Sequence, residues 1–361
     1  MPSGNLNGVI DYIKFTVSDK TGYKITLSPV NQRITALSSD PENELIMMVE
    51  IRDKDGNVVP GAKIIMNART DKKAFPQKDR FTDKSGSCLI TYKPQILPAS
   101  AYIDGKAQET VTVAISGTKT EASLNFNLTH IPVIFIHGYQ ANSSLFDNFK
   151  DYLGTKGFPT EYFNYDSTKG VAYGARQLDS YISNIKDEYI QKGIQINRVD
   201  LIGHSMGGLV ARYYTCSPDY TGTSTVEKII FLSVPQNGSS LATLGLKYYN
   251  DKGILDLMPD SNLFTEIFPN MKNKGLNNMI QTGSLLGQYD EVVSPESASL
   301  DEWGIKNELF NVGDNNFTVD KLLSGKIVEA ANHKMILYNK KVFERVEEML
   351  ENPLAYPIIN K

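Results

Sequence analysis

Val199-Asp200-Leu201-Ile202-Gly203-His204-Ser205-Met206-Gly207-Gly208-Leu209-Val210-Ala211-Arg212 decides how the chain reads. Val199–Ile202 is a short apolar run with the length of a strand. Met206–Cys216 then has the composition of a helix. Between them lies Gly203-His204-Ser205-Met206-Gly207, a Gly-x-Ser-x-Gly pattern in the strand–turn–helix setting that such a serine needs. A serine at so sharp a turn has a strained backbone and points its hydroxyl out of the sheet. Gly203 and Gly207 leave room where side chains would collide with neighbouring backbone. The helix N-terminus behind Ser205 favours negative charge. Ser205 is therefore the candidate nucleophile.

Outward from this stretch, apolar runs alternate with helical periods. Val133–Ile136 is apolar throughout, as in a strand buried on both faces. Leu145–Leu153 reads as a helix and Thr160–Tyr165 as a strand. Val171–Gln191 has apolar residues at helical spacing, among them Ala175, Leu178, Ile182, Ile185 and Tyr189. Val226–Val234 and Asn278–Ser284 read as strands, and a last helix spans Asn339–Leu350. This alternation implies an α/β fold with a mostly parallel sheet covered by helices. Before residue 128 the pattern differs. Val9–Val17, Glu44–Ile51, Ala62–Ala68, Cys88–Tyr92, Glu109–Ile115 and Ala122–Leu128 read as strands, punctuated by Asp55-Gly56, Ser85-Gly86 and Asp104-Gly105. That spacing predicts an all-β sandwich over residues 1–128, with the α/β domain in residues 129–361.

The bulk numbers exclude several classes. The 361 residues fit two domains. With 37 basic and 41 acidic side chains the net charge is −4, which leaves no electrostatic footprint for nucleic acid. No run of 18 apolar residues is present, so no membrane-spanning helix is expected. Residues 1–15 do not have the form of a signal peptide. Cys88 and Cys216 have no Cys-x-x-Cys partner, so neither a zinc site nor a disulfide framework is expected. No metal or organic cofactor is called for.

Ile131-Pro132-Val133-Ile134-Phe135-Ile136-His137-Gly138-Tyr139, taken with the Ser205 turn, resembles bacterial lipases and esterases of the α/β-hydrolase superfamily over residues 130–340. In that family the loop after His-Gly lies beside the nucleophile. The resemblance implies that the backbone N–H groups of Tyr139 and Met206 form an oxyanion hole. It also implies the triad order serine, acid, histidine. Of the four histidines, His130 and His137 precede Ser205 and His204 is locked into its turn. His333, expected in a loop ahead of the last helix, remains as the base. Gly287-Gln288-Tyr289-Asp290-Glu291-Val292-Val293 is similar to the family's acid loop, which makes Asp290 the acid. Glu291 competes with it, and Asp301 and Asp314 do so more weakly. Val234-Pro235-Gln236-Asn237-Gly238-Ser239 resembles the point where lipases leave the sheet. The segment that follows, 239–275, is long enough for a cap or lid, although an extra helical hairpin packed on the core reads equally from its apolar residues. His137, Gln140, Leu241, Leu257 and Phe264 are expected to face substrate.

Val49-Glu50-Ile51-Arg52-Asp53-Lys54-Asp55-Gly56-Asn57-Val58-Val59-Pro60-Gly61-Ala62 and Thr82-Asp83-Lys84-Ser85-Gly86 resemble bacterial immunoglobulin-like domains of the invasin type. That resemblance covers residues 8–128. It implies an extracellular or cell-surface setting and a sheet edge open to self-association. The expected activity is hydrolysis of a small-molecule or lipid ester through an acyl-enzyme on Ser205. Three alternatives stay open: thioesterase, amidase or acyltransferase chemistry on the same residues; a true lipase that needs an interface; and a surface-binding protein with an inert hydrolase body.

Overall fold

Strands too short to stand alone become stable by pairing, and among the described residues six of them form one parallel sheet. The computed structural model describes residues 22–70, 79–218, 220, 225–246, 249–314 and 331–359. The strand expected over Val9–Val17 lies outside these residues. Contacts divide the chain into two units: residues 1–130 with 186–197, and residues 131–185 with 198–361.

In the second unit the strands lie in the order Thr160–Phe163, Val133–Ile136, Val199–His204, Val226–Leu232, Gln281–Gly287 and Glu308–Phe310. Every neighbouring pair is parallel. The order reverses beside Val133–Ile136: the chain first steps outward to Thr160–Phe163, then crosses back to Val199–His204. Such a switch point opens a crevice at the carboxyl ends of the two central strands. His137 follows one of those strands and Ser205 the other.

All four residues of Val133–Ile136 are buried, as are all seven of Val226–Leu232. Helices Val171–Gln191 and Met206–Cys216 run as their spacing predicts. The last helix is Lys340–Glu351, with Asn339 as its cap: the Asn339 side chain accepts from the Lys341 N–H at 2.9 Å. Val342, Phe343, Val346, Met349 and Leu350 form its buried stripe. They join Phe135, Phe149, Ile202 and Leu285 in one core. Lys228, buried on its strand, donates to the carbonyls of Met349 and Leu350 and so satisfies the end of this helix.

Among the described residues the first unit holds two sheets. Lys24–Pro29, Leu45–Arg52 and Ser87–Tyr92 form an antiparallel one. Ile194–Gln195, Ala36–Ser38, Glu121–Thr129, Lys106–Ile115, Lys63–Ala68 and Arg80–Phe81 form the other. Both sheets contribute to one apolar cluster that includes Met47, Val49, Ile90, Val111 and Leu128. Tyr92 meets Phe126 edge-on there at 5.3 Å. Two turns share one design. Asp53 Oδ1 accepts the N–H groups of Asp55 and Asn57, and Asp83 Oδ1 those of Ser85 and Ser87. Gly56 and Gly86 supply the positive φ, 86° and 73°. Among the described residues no helix is long and apolar enough to cross a membrane.

Candidate active site

One residue separates strand Val199–His204 from helix Met206–Cys216. That residue, Ser205, sits at φ 53° and ψ −131°. Such a backbone costs a non-glycine residue about 1–3 kcal/mol and persists only where the surroundings enforce it. Glycines make the turn possible. A Cβ on Gly203 would lie 2.5 Å from Gly208 Cα, and one on Gly207 would lie 2.2 Å from the Ile136 carbonyl oxygen. The Ser205 N–H donates to Leu232 at 3.1 Å, which ties the turn to the next strand. Its hydroxyl does not cap the helix that it opens.

The loop after Val133–Ile136 passes directly beside this serine. A Cβ on Gly138 would stand 2.8 Å from Ser205 Cβ and 3.3 Å from Oγ. Met206 is the first residue of its helix, so its N–H has no intrahelical acceptor. Gly138 thus adjoins Ser205 in space and Met206 adjoins it in the chain. Tyr139 is anchored at its other end: its phenol donates to Asp251 Oδ2 at 2.6 Å. Burial and that carboxylate both raise the phenol's pKa, so it stays a donor.

His333 Nδ1 lies 2.8 Å from Asp290 Oδ2 and 3.0 Å from Oδ1. Asp290 Oδ1 also accepts the N–H groups of Val292 and Val293, each at 2.9 Å. Burial works to raise the Asp290 pKa, but the His333 charge and hydrogen bond, with the Val293 N–H, bring it below the ordinary value. With Nδ1–H pointed at Asp290, the lone pair of His333 sits on Nε2. Nε2 is buried and has no hydrogen-bond partner among the described residues. His204 lies behind: its Nε2–H donates to the His333 carbonyl at 3.0 Å. Burial, then the charge of His333, push the His204 pKa down to about 3, so it is a neutral prop.

Ser205 and His333 line one cavity of about 290 Å³, at the small end of ligand pockets. Of the residues expected to face substrate, Gln140, Leu241 and Leu257 line it, with Tyr139. Two expectations are corrected. His137 is 1% exposed and outside the lining. Its ring stacks on Tyr165 at 4.6 Å, and its Nε2 accepts the Tyr165 N–H at 3.3 Å, so it braces the loop from within. Phe264 is also outside the lining and packs against Phe268 at 5.8 Å. His333 lies on a short helix, Ala331–Met335, rather than in a loop. The competing carboxylates are elsewhere: Asp301 and Asp314 are exposed, and Glu291 Oε1 accepts the Asn332 N–H. Asn142, Tyr249, Ile254, Val292 and Lys334 line the cavity without having been expected to. Lys334 follows the base in sequence, and that adjacency is the signal that could have found it. Among the described residues, no three or more His, Cys, Asp or Glu side chains are grouped to hold a metal ion.

A parallel sheet with the serine turn at its switch point defines an α/β-hydrolase. Residues 127–350 match the family described as the PGAP1-like alpha/beta domain, and the chain belongs to that family. Solved structures similar to it include the Bacillus licheniformis lipase BlEst2 in mature form, at 15% identity and a TM-score of 0.48, over 61% of this chain and 91% of that one. A Listeria innocua gene product is 18% identical with a TM-score of 0.42, over 62% of this chain and 94% of its own. Aspergillus fumigatus lipase B is 16% identical with a TM-score of 0.45, over 63% of this chain and 53% of that one.

Proposed function

We propose that this chain is a serine-dependent carboxylic-ester hydrolase, with Ser205 as nucleophile, His333 as base and Asp290 as acid. The observation that carries the reading is that His333, whose Nδ1 lies 2.8 Å from Asp290 Oδ2, lines the same cavity as the strained Ser205. His333 Nε2 takes the hydroxyl proton as Ser205 Oγ bonds to the ester carbonyl carbon. The Tyr139 and Met206 N–H groups hold the oxyanion, each worth about 3–4 kcal/mol. The C–O bond to the alcohol breaks and His333 returns its proton to the leaving oxygen. Water then cleaves the acyl-enzyme by the same route. Asp290 stabilises the imidazolium at both steps.

Leu241, Ile254 and Leu257 give the cavity an apolar wall suited to an acyl chain. The first unit is proposed to be an immunoglobulin-like domain that serves attachment or self-association, and its two sheets around one core support this. The test is hydrolysis of p-nitrophenyl esters of graded acyl length, wild type beside Ser205→Ala, with matched thioesters and amides. Turnover of short and medium esters that Ser205→Ala abolishes is expected. An amide preferred over every ester, or ester turnover that survives Ser205→Ala, overturns the reading.

A further inference from the structure

The proposed base rides on a helix of five residues, Ala331–Met335. A helix this short does not hold its orientation by its own hydrogen bonds. The residue before the base is the one tied down. Asn332 is 4% exposed. Its Oδ1 accepts the Asp314 N–H at 2.8 Å, and its Nδ2 donates to the Asp314 carbonyl at 2.9 Å. The side-chain amide thus pairs with one backbone residue in both directions, as a neighbouring strand would. The Asn332 N–H donates to Glu291 Oε1 at 3.3 Å, and Glu291 follows Asp290. Gly313 makes the close approach possible. It has φ +96°, and a Cβ there would stand 2.8 Å from both Cγ and Oδ1 of Asn332.

We propose that Asn332 is a positioning residue for His333: its amide clasp on Asp314 and its N–H on Glu291 fix the base against the acid loop. The proposal rests on His333 acting as the base. Asn332 itself does not line the cavity, so it acts only through its neighbour. With His204 holding the His333 carbonyl at 3.0 Å, the base is braced on both sides of its Cα. A catalytic group misplaced by 1 Å costs about 100-fold in rate, so a loosened clasp is read in kcat rather than in binding.

The experiment uses the full chain and a p-nitrophenyl ester that the wild type hydrolyses. Active sites are counted by fluorophosphonate labelling carried to completion. Asn332→Ala removes the clasp, Asn332→Asp sets a charged oxygen against the Asp314 carbonyl in place of the donor, and Gly313→Ala pushes on the clasp without altering Asn332. For Asn332→Ala and Gly313→Ala we expect kcat per labelled site to fall about 30- to 100-fold, with KM within about twofold. Asn332→Asp is expected to fall at least as far as Asn332→Ala. A kcat per labelled site within about twofold of wild type in Asn332→Ala and Gly313→Ala overturns the inference. So does a loss of labelled sites with unchanged kcat in the remainder, which would assign Asn332 to stability alone. Ester turnover that survives Ser205→Ala would instead defeat the esterase reading, whatever the Asn332 variants do.

Discussion

Asp290 and Glu291 are neighbours in sequence, yet their surroundings pull their acidities apart. Asp290 is held below the ordinary carboxylate value by the charge and hydrogen bond of His333, against the opposing effect of burial. Glu291 is raised, first by burial and then by the charge of Asp290. Environments that separate two adjacent carboxyls mark which one is built to stay charged. Asp290→Asn is expected to lower kcat about 10⁴-fold by spoiling the histidine tautomer. Glu291→Gln keeps an oxygen for the Asn332 N–H and is expected to cost less than about tenfold. Steady-state kinetics on one ester separates the two, and equal losses would remove the distinction. From the residues alone either carboxylate qualified. The difference between them is a turn in which Asp290 Oδ1 accepts the Val292 and Val293 N–H groups, a local bond that the shorter aspartate side chain favours. His204 carries a second prediction. Its pKa is about 3 in the fold against an ordinary 6.5, chiefly through burial. Between those values the unfolded chain binds a proton that the native chain does not. Stability therefore falls as pH drops through this window, by up to about 1.4 kcal/mol per unit. Asp290, held below its ordinary value, adds its own loss once pH falls through the ordinary carboxylate value. His204→Gln, which does not titrate, is expected to flatten denaturation midpoints between these pH values; an unchanged slope would clear His204.

The segment 239–275 shows what periodicity tells and what it leaves out. Its apolar residues are plain in the sequence, but their facing depends on where short helices begin. Ser240–Gly245 turns Leu241 and Ala242 to the cavity and leaves Leu244 41% exposed. Lys252–Asp256 and the residue after it turn Ile254 and Leu257 inward and leave Leu255 39% exposed. Phe264 belongs to a later turn that packs on Phe268 instead, which is why a list of apolar residues included it wrongly. Asp251 holds this arrangement. One oxygen accepts the Ile254 N–H at 3.0 Å as the helix cap, and the other accepts the Tyr139 phenol at 2.6 Å. Asp251→Ala should cost about 1–2 kcal/mol from the lost cap and hydrogen bond. It should also raise KM for longer acyl esters more than for acetate, because Ile254 and Leu257 lose their seat. Asp251→Asn keeps a cap oxygen and should lose less. A cap variant with an unchanged acyl-length profile would detach this helix from substrate binding.

The sequence pattern changes near residue 128, but one return of the chain carries no such mark. Residues 186–197 group with residues 1–130. Helix Val171–Gln191 keeps an unbroken period past Lys186, so nothing in its sequence marks a boundary. The strand Ile194–Gln195 has two residues, too few to alternate. Lys24–Pro29 alternates in burial, but its closing proline weakens the strand signal in the sequence. The return has a consequence for truncation. Ile194 and Gln195 pair in parallel with Ala36 and Leu37. Asn43 Nδ2 donates to the Gln195 carbonyl at 2.8 Å, and Ile190 packs on the first unit's core. A fragment of residues 131–361 would keep the Ser205, Asp290 and His333 set but strand this stretch without its pairing partners. Exposing Ile190 and breaking these hydrogen bonds costs about 1–3 kcal/mol. The fragment is therefore expected to hydrolyse the same esters with a similar KM, but to lose activity at a lower temperature than the full chain. Thermal inactivation followed with one ester measures this. If the fragment keeps the full chain's profile, residues 186–197 settle without the first unit, and a cut ahead of residue 131 isolates an independent hydrolase.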